Sequence, residues 1–348
     1  MNKQNYFAWL SSETDTMWTN DSALLATNKA ARTQKGAIGC TTNPPLAYEA
    51  LTVDRDEYGT DLAAIDRSLS DNEFALEAMK LVVTRMSKEY LPMHKERGGL
   101  YGCVRAQVAP NLRDDKDAML KVGKYMASWG ENVMVKIPVT GAGVWVLEEL
   151  AALGIPTNPT VTTSISQMMA AAEAYERGVA RAKAAGIKPA WSTLALVVGR
   201  IQDYLTKCNE ERNAGLSTSD LEWASVAIIK RANEMFQQNN YACTLQPAAF
   251  RAAMQVEQIA GGKFCPTIHP KIQEAVEEAD AKGEIHHEVL IDAPIDQEAV
   301  DRVDAALPEF ALAYEPGAIE EEDFLTFGAT VMTLDGFDQG WQKLFTLK

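Results

Sequence analysis

Val133-Met134-Val135-Lys136-Ile137-Pro138 is an apolar run broken by a single lysine. Alternation along a strand puts Met134, Lys136 and Pro138 on one face and Val133, Val135 and Ile137 on the other. Comparable short runs recur at Tyr6 to Leu10, Gly36 to Thr41, Leu100 to Val108, Thr157 to Thr162, Ser192 to Val198, Tyr241 to Leu245 and Phe264 to Ile268. Helical patterns separate most of them, as in a parallel sheet wrapped by helices. Eight strands so arranged predict an α/β barrel rather than an open sheet.

Two of the intervening helices are well defined by sequence. Ile165 to Ala184 is rich in Ala and Met and closes near Gly186. Ser219-Asp220-Leu221-Glu222 has capping-box spacing ahead of Ala224, Ala227, Ile228 and Met235 at helical period. Two segments are too long for loops. Ala47 to Gly99 carries more than one helical pattern between the second and third strands, and Glu278 to Lys348 is a mostly helical tail. Neither reads as an independent domain, so residues 1–348 are expected to form one.

The 348 residues carry 33 Lys plus Arg against 48 Asp plus Glu, a net charge of -15. That balance argues against a nucleic-acid binder and against docking on an anionic membrane. The first residues reach acidic side chains before any signal-like apolar stretch forms, and no run approaches the ~18 apolar residues of a membrane helix. A cytoplasmic protein is expected. Five scattered cysteines without a CxxC pair suggest neither a disulfide framework nor a zinc site. Gly141-Ala142-Gly143 lacks the third glycine of a dinucleotide fingerprint, and Gly261-Gly262-Lys263 lacks the rest of a P-loop. His286-His287 reads as a solvated turn.

Lys136 is the residue that bears on chemistry. A lysine among apolar neighbours has its pKa lowered by desolvation, which makes its amine a nucleophile at neutral pH. Taken by itself, the strand favours a plainer reading, an edge strand whose lysine snorkels to solvent. Its company changes that reading. Thr41 to Leu46 reads TTNPPL, Val133 to Gly143 reads VMVKIPVTGAG, and Gly154 to Gln167 reads GIPTNPTVTTSISQ. Val198 to Arg200 reads VGR and Ala248 to Arg251 reads AAFR.

In that order these pieces resemble the transaldolase family over most of the chain. The resemblance implies a (β/α)8 TIM barrel, with extra helices between strands 2 and 3 and at the C-terminus, working without metal or organic cofactor. Lys136 would form a Schiff base with a ketose phosphate or another anionic ketose. The enzyme would then pass a three-carbon dihydroxyacetone unit to an aldehyde acceptor. Asn43 and Asn158 would hold hydroxyls of that unit, with Thr42 beside them, and Thr160 would position the catalytic water. Arg200 and Arg251 would bind the substrate's terminal phosphate. The oligomeric state is left open, a homo-oligomer included.

Departures from the family pattern accompany the matches. The first strand usually reads Trp-Leu-Asp, the Asp serving as acid/base, where Trp9-Leu10-Ser11 stands here. Ser11 would then contact substrate without moving a proton, and Glu13 or Asp15 would have to swing in. Gln107 occupies a position where transaldolases carry Glu and the related fructose 6-phosphate aldolases carry Gln to hold the water. Val197 replaces those aldolases' Tyr, and Ala195 and Ala249 replace serines near the phosphate. An aldolase releasing free dihydroxyacetone, or a barrel that binds a sugar phosphate without turnover, are the alternative expectations.

Overall fold

The computed structural model describes residues 4–348. Its strands are β1 (Thr19–Asn20), β2 (Gly39–Thr42), β3 (Cys103–Gln107), β4 (Val133–Pro138), β5 (Thr157–Thr160), β6 (Thr193–Leu196), β7 (Thr244–Pro247) and β8 (Thr267–Ile268). All pair in parallel, β5-β4-β3-β2-β1-β8 in a six-stranded sheet and β6-β7 in a second one. Single bridges Thr157 to Ser192, Thr162 to Leu196 and Ala248 to Thr267 join the edges of the two sheets. Among the described residues, no helix is long and apolar enough to cross a membrane.

The first predicted strand is a helix. Tyr6–Glu13 is capped by Asn5, whose side chain accepts from the Phe7 amide at 2.9 Å. Tyr6, Phe7 and Leu10 are buried at helical rather than strand spacing, with Phe7 against Trp18 and Trp9 stacked on His287. His287 is thereby no solvated turn, since it also meets Asp280 at 3.1 Å. The true β1 lies further on and is two residues long, too short for an alternating pattern to announce it. Helix Ile165–Ala184 has the bounds expected of it. Helix Thr218–Asn239 begins two residues earlier than expected, because Ser217 rather than Ser219 forms the capping box with Asp220.

The two faces of the strands differ in chemistry. Val104, Ala106, Val133, Val135, Ile137, Leu194 and Leu196 point outward into the apolar core shared with the helices. The inner face carries Thr19, Thr41, Arg105, Gln107, Lys136, Asn158, Thr160, Thr193, Gln246 and Thr267, all buried. Low in the interior these groups bond to one another. Thr41 meets Thr267 at 2.9 Å, Gln246 donates to Thr19 at 3.4 Å and Arg105 donates to Thr193 at 3.1 Å. Such pairing is what keeps a buried polar interior affordable.

The insertion folds as Pro44–Val53, Arg55–Ala64 and Asp71–Glu96, the last opened by a Ser70/Glu73 capping box. Leu46, Ala50, Phe74, Met79 and Val82 from this segment share a second apolar cluster with Trp341 and Leu344 of the C-terminal helix, Gly328–Phe345. That helix passes so close to Pro45 that a Cβ on Gly340 would lie 2.4 Å from the proline ring. The two long additions therefore meet, and their contact brings the C-terminal helix over the strand ends.

Candidate active site

Register sets Gln107, Lys136 and Asn158 abreast on β3, β4 and β5. Lys136 is 5% exposed, and among the described residues no carboxylate lies within ion-pair distance of its Nζ. Burial pushes the amine down to about 8, with Arg105 and Arg200 acting in the same direction and Asp21 opposing. Nζ stands 5.8 Å from the ring centroid of Phe337, on the C-terminal helix. About a tenth of the amine is thus neutral at pH 7, far more than for an ordinary lysine, in a site sheltered from water.

From the height of the amine upward the bonding of the interior is incomplete. Gln107 Oε1, Asn158 Oδ1, Thr160 Oγ1 and Thr162 Oγ1 are buried without a hydrogen-bond partner. Leaving such atoms unpaired costs about 1–3 kcal/mol each, so a set of them marks a place prepared for something else to bond. The direction of Asn158 is fixed from behind. Its Nδ2 donates to the Thr193 carbonyl, to Thr193 Oγ1 at 3.0 Å and to Gln246 Oε1 at 2.9 Å, which leaves Oδ1 as the free end of the amide. Between Thr160 and Thr162, Val161 has φ +56°, a strained setting for a β-branched residue, packed against Leu334 and Phe337.

Asp21 is the residue that sequence reasoning missed. Thr19 faces inward to Gln246, while Asn20 faces outward, bonded to Asn28 at 3.1 Å and Gln273 at 2.8 Å. Alternation returns Asp21 to the inner side. With Asn43, Arg200, Arg251, His269, Lys271 and Phe337 it lines a cleft of about 290 Å³ over the strand ends. Ser11 is elsewhere. It lies on helix Tyr6–Glu13 with its hydroxyl 3.5 Å from the Gly36 carbonyl, and Glu13 and Asp15 are exposed. The acid-bearing stretch is Trp18-Thr19-Asn20-Asp21, and its signal was a tryptophan followed closely by a carboxylate.

The remaining expected residues divide. Asn43 is at the cleft, its Oδ1 capping the following helix at the Leu46 amide (3.0 Å), which leaves its Nδ2 as a donor. Thr42 spends its hydroxyl on the Arg105 carbonyl at 2.8 Å and so fastens β2 to β3. Arg200 and Arg251 converge at the cleft, where burial and the neighbouring Arg251 lower the pKa of Arg200. Asp203 pairs with Arg251 through both oxygens, one contact at 2.8 Å, and lies 3.7 Å from Arg200. A Cβ on Gly199 would fall 1.6 Å from the Ala249 carbonyl, and Ala249 itself has φ +64°. That close approach brings the uncapped start of helix Val198–Arg212 to the same place, adding backbone N–H groups to two guanidinium groups.

The family model described as Transaldolase/Fructose-6-phosphate aldolase matches residues 19–346, and so begins at β1. A transaldolase of Thiobacillus denitrificans is 30% identical over 225 residues, 63% of this chain and 61% of that protein. One from Neisseria gonorrhoeae is 32% identical over 210 residues, 59% of this chain and 58% of its own. The chain thus spans about 60% of the length of these two curated relatives. Transaldolase 1 of Streptomyces coelicolor is 26% identical over 340 residues, covering 89% of this chain and 84% of its own.

Proposed function

The chain belongs to the transaldolase/fructose-6-phosphate aldolase family, and we propose that it is a Schiff-base enzyme that moves a three-carbon ketol unit from a ketose phosphate to an aldehyde. The observation that carries this reading is the buried Lys136 amine, held near pKa 8 and flanked in register by Gln107 and Asn158, each with an unpaired buried oxygen. Its two sheets are taken as one closed (β/α)8 TIM barrel in a single domain, a closure supported by the three bridges between them. The helices within 47–99 and the tail from 278 are additions to that barrel.

In this reading Nζ of Lys136 adds to the ketone carbon, and loss of water leaves an iminium. The C3–C4 bond then breaks, its electron pair passing into the C2–N system as an enamine, while the C4 hydroxyl gives its proton to Asp21. The aldehyde departs and an acceptor aldehyde takes its place. The enamine attacks it, Asp21 returns the proton, and water releases the product. Gln107 and Thr160 hold that water between two unpaired acceptors. Asn158 Oδ1 accepts from a substrate hydroxyl, Asn43 donates to another, and Arg200 and Arg251 take the terminal anion.

Borohydride reduction in the presence of fructose 6-phosphate, followed by peptide mass spectrometry, tests the proposal. A three-carbon adduct on Lys136 is the expected result, and no adduct with any anionic ketose sinks it. A second reading, an aldolase releasing free dihydroxyacetone, is favoured by the neutral amide of Gln107 at the water position. Product formed from ketose alone, without an acceptor aldehyde, would select it.

A further inference from the structure

Arg105 is fully buried in the middle of β3. Among the described residues no carboxylate lies within ion-pair distance of it. Its partners are all neutral: Nε donates to Thr193 Oγ1 at 3.1 Å, Nη1 approaches the Cys103 carbonyl at 3.5 Å, and Nη2 approaches Cys265 Sγ at 3.7 Å. The guanidinium also lies 5.9 Å from the Trp191 ring centroid. A buried charge without a counter-ion is costly, and a merely structural arginine would be expected to have an acidic partner. Arg105 shares its strand face with Gln107, about 7 Å further along, and Gln107 is abreast of Lys136.

We propose that Arg105 is a positioning residue of the Lys136 site, a fixed positive charge beneath the amine and the anchor that, through Thr193, aims Asn158 at the substrate. The hydrogen bonds supply the second role. Thr193 Oγ1 accepts from both Arg105 Nε and Asn158 Nδ2, so the guanidinium braces one of the three acceptors that set the amide's direction. The charged groups facing Lys136 supply the first: Asp21 past the end of β1, Arg105 from β3 and Arg200 after β6, with Arg251, His269 and Lys271 around the cleft. Arg200 is half-exposed and available to a bound anion, which would offset its charge. Arg105 faces neither solvent nor the cleft, so its influence on the amine persists through the whole cycle.

The second role rests on the Schiff-base reading, whereas the first is measurable without any sugar. Trace acetylation of the full chain across pH, with Lys136 followed by peptide mass spectrometry, reports the amine's midpoint, expected near 8 in the parent protein. In Arg105→Gln the midpoint should rise, and in Arg105→Lys it should stay at the parent value. Thr193→Val should leave the midpoint in place and raise several-fold the fructose 6-phosphate concentration needed for half-maximal borohydride trapping. An unmoved midpoint in folded Arg105→Gln overturns the proposal. An unchanged trapping concentration in Thr193→Val overturns it as well, even if the arginine variants do not fold. If the parent protein traps no sugar while Arg105→Gln moves the midpoint, the Schiff-base reading fails and the fixed-charge role is supported.

Discussion

On β4, Val133, Val135 and Ile137 fill the outer apolar core, while Lys136, between two of them in sequence, faces a polar interior. The outward residues are satisfied by packing, and nothing is left over for chemistry. On the inner face satisfaction is graded with height. The lower groups are paired, Thr41 with Thr267, Gln246 with Thr19 and Thr193 with Arg105. At the level of the amine Gln107 and Asn158, and above it Thr160 and Thr162, each keep an atom unpaired. The difference separates stability from function along a single strand, so mutations on the two faces should fail in different ways.

Lys136→Met should produce the largest effect. No borohydride-trapped adduct should form, and turnover should fall by roughly 10³-fold or more. Stability should move the other way, because the folded protein no longer holds a buried amine. The sign follows from proton binding. The folded-state pKa is near 8 against about 10.4 for an unperturbed lysine, so between those values the unfolded chain binds more protons and the parent protein gains stability as pH rises. Below pH 8 the penalty is fully present, on the order of 3 kcal/mol. Thermal melts should therefore place Lys136→Met above the parent at pH 7, with the gap closing toward pH 10.5. A constant gap would mean that the lysine is not desolvated as the structure has it.

Asp21→Asn should follow, with cleavage slowed by about 10²–10⁴-fold, the usual range for losing a general acid/base. Schiff-base formation should survive, so borohydride should capture an intact six-carbon adduct in place of the three-carbon one. Removing the carboxylate also removes the one charge that raises the Lys136 pKa, and the amine's midpoint should drop. On the outer face, Ile137→Ala should lower stability by about 2–5 kcal/mol through the cavity it leaves. The protein that remains folded should keep its pH profile, and a shifted profile would show that the two faces are not separate.

What could be read from sequence divides along similar lines. Lys136, Asn158 and Thr160 lie in strands of four to six residues flanked by dense motifs, so alternation and local context both pointed to them. β1 has two residues, and the aromatic run of Tyr6, Phe7 and Trp9 supplied a stronger apolar signal nearby, which carried the reading to the preceding helix. Phe337 reaches the amine from the far end of the chain, on a helix placed by its packing against the insertion. No local pattern encodes that meeting. Arg105 did carry a signal, the same anomaly as Lys136, a charged residue inside an apolar strand.

The smallest expected effect belongs to Ser11→Asp. If Ser11 stood at the acid position, a carboxylate there would supply the missing proton acceptor and raise turnover with transaldolase substrates. The structure puts Ser11 on a helix beside the Gly36 carbonyl, with Asp21 already on the inner side past β1. Turnover should then stay within about twofold of the parent, and stability within about 0.5 kcal/mol, as for surface changes generally. Introduced into Asp21→Asn, the same substitution should restore nothing. Rescue of cleavage in that double variant would return the acid/base role to the stretch ending at Ser11 and would remove the assignment of Asp21.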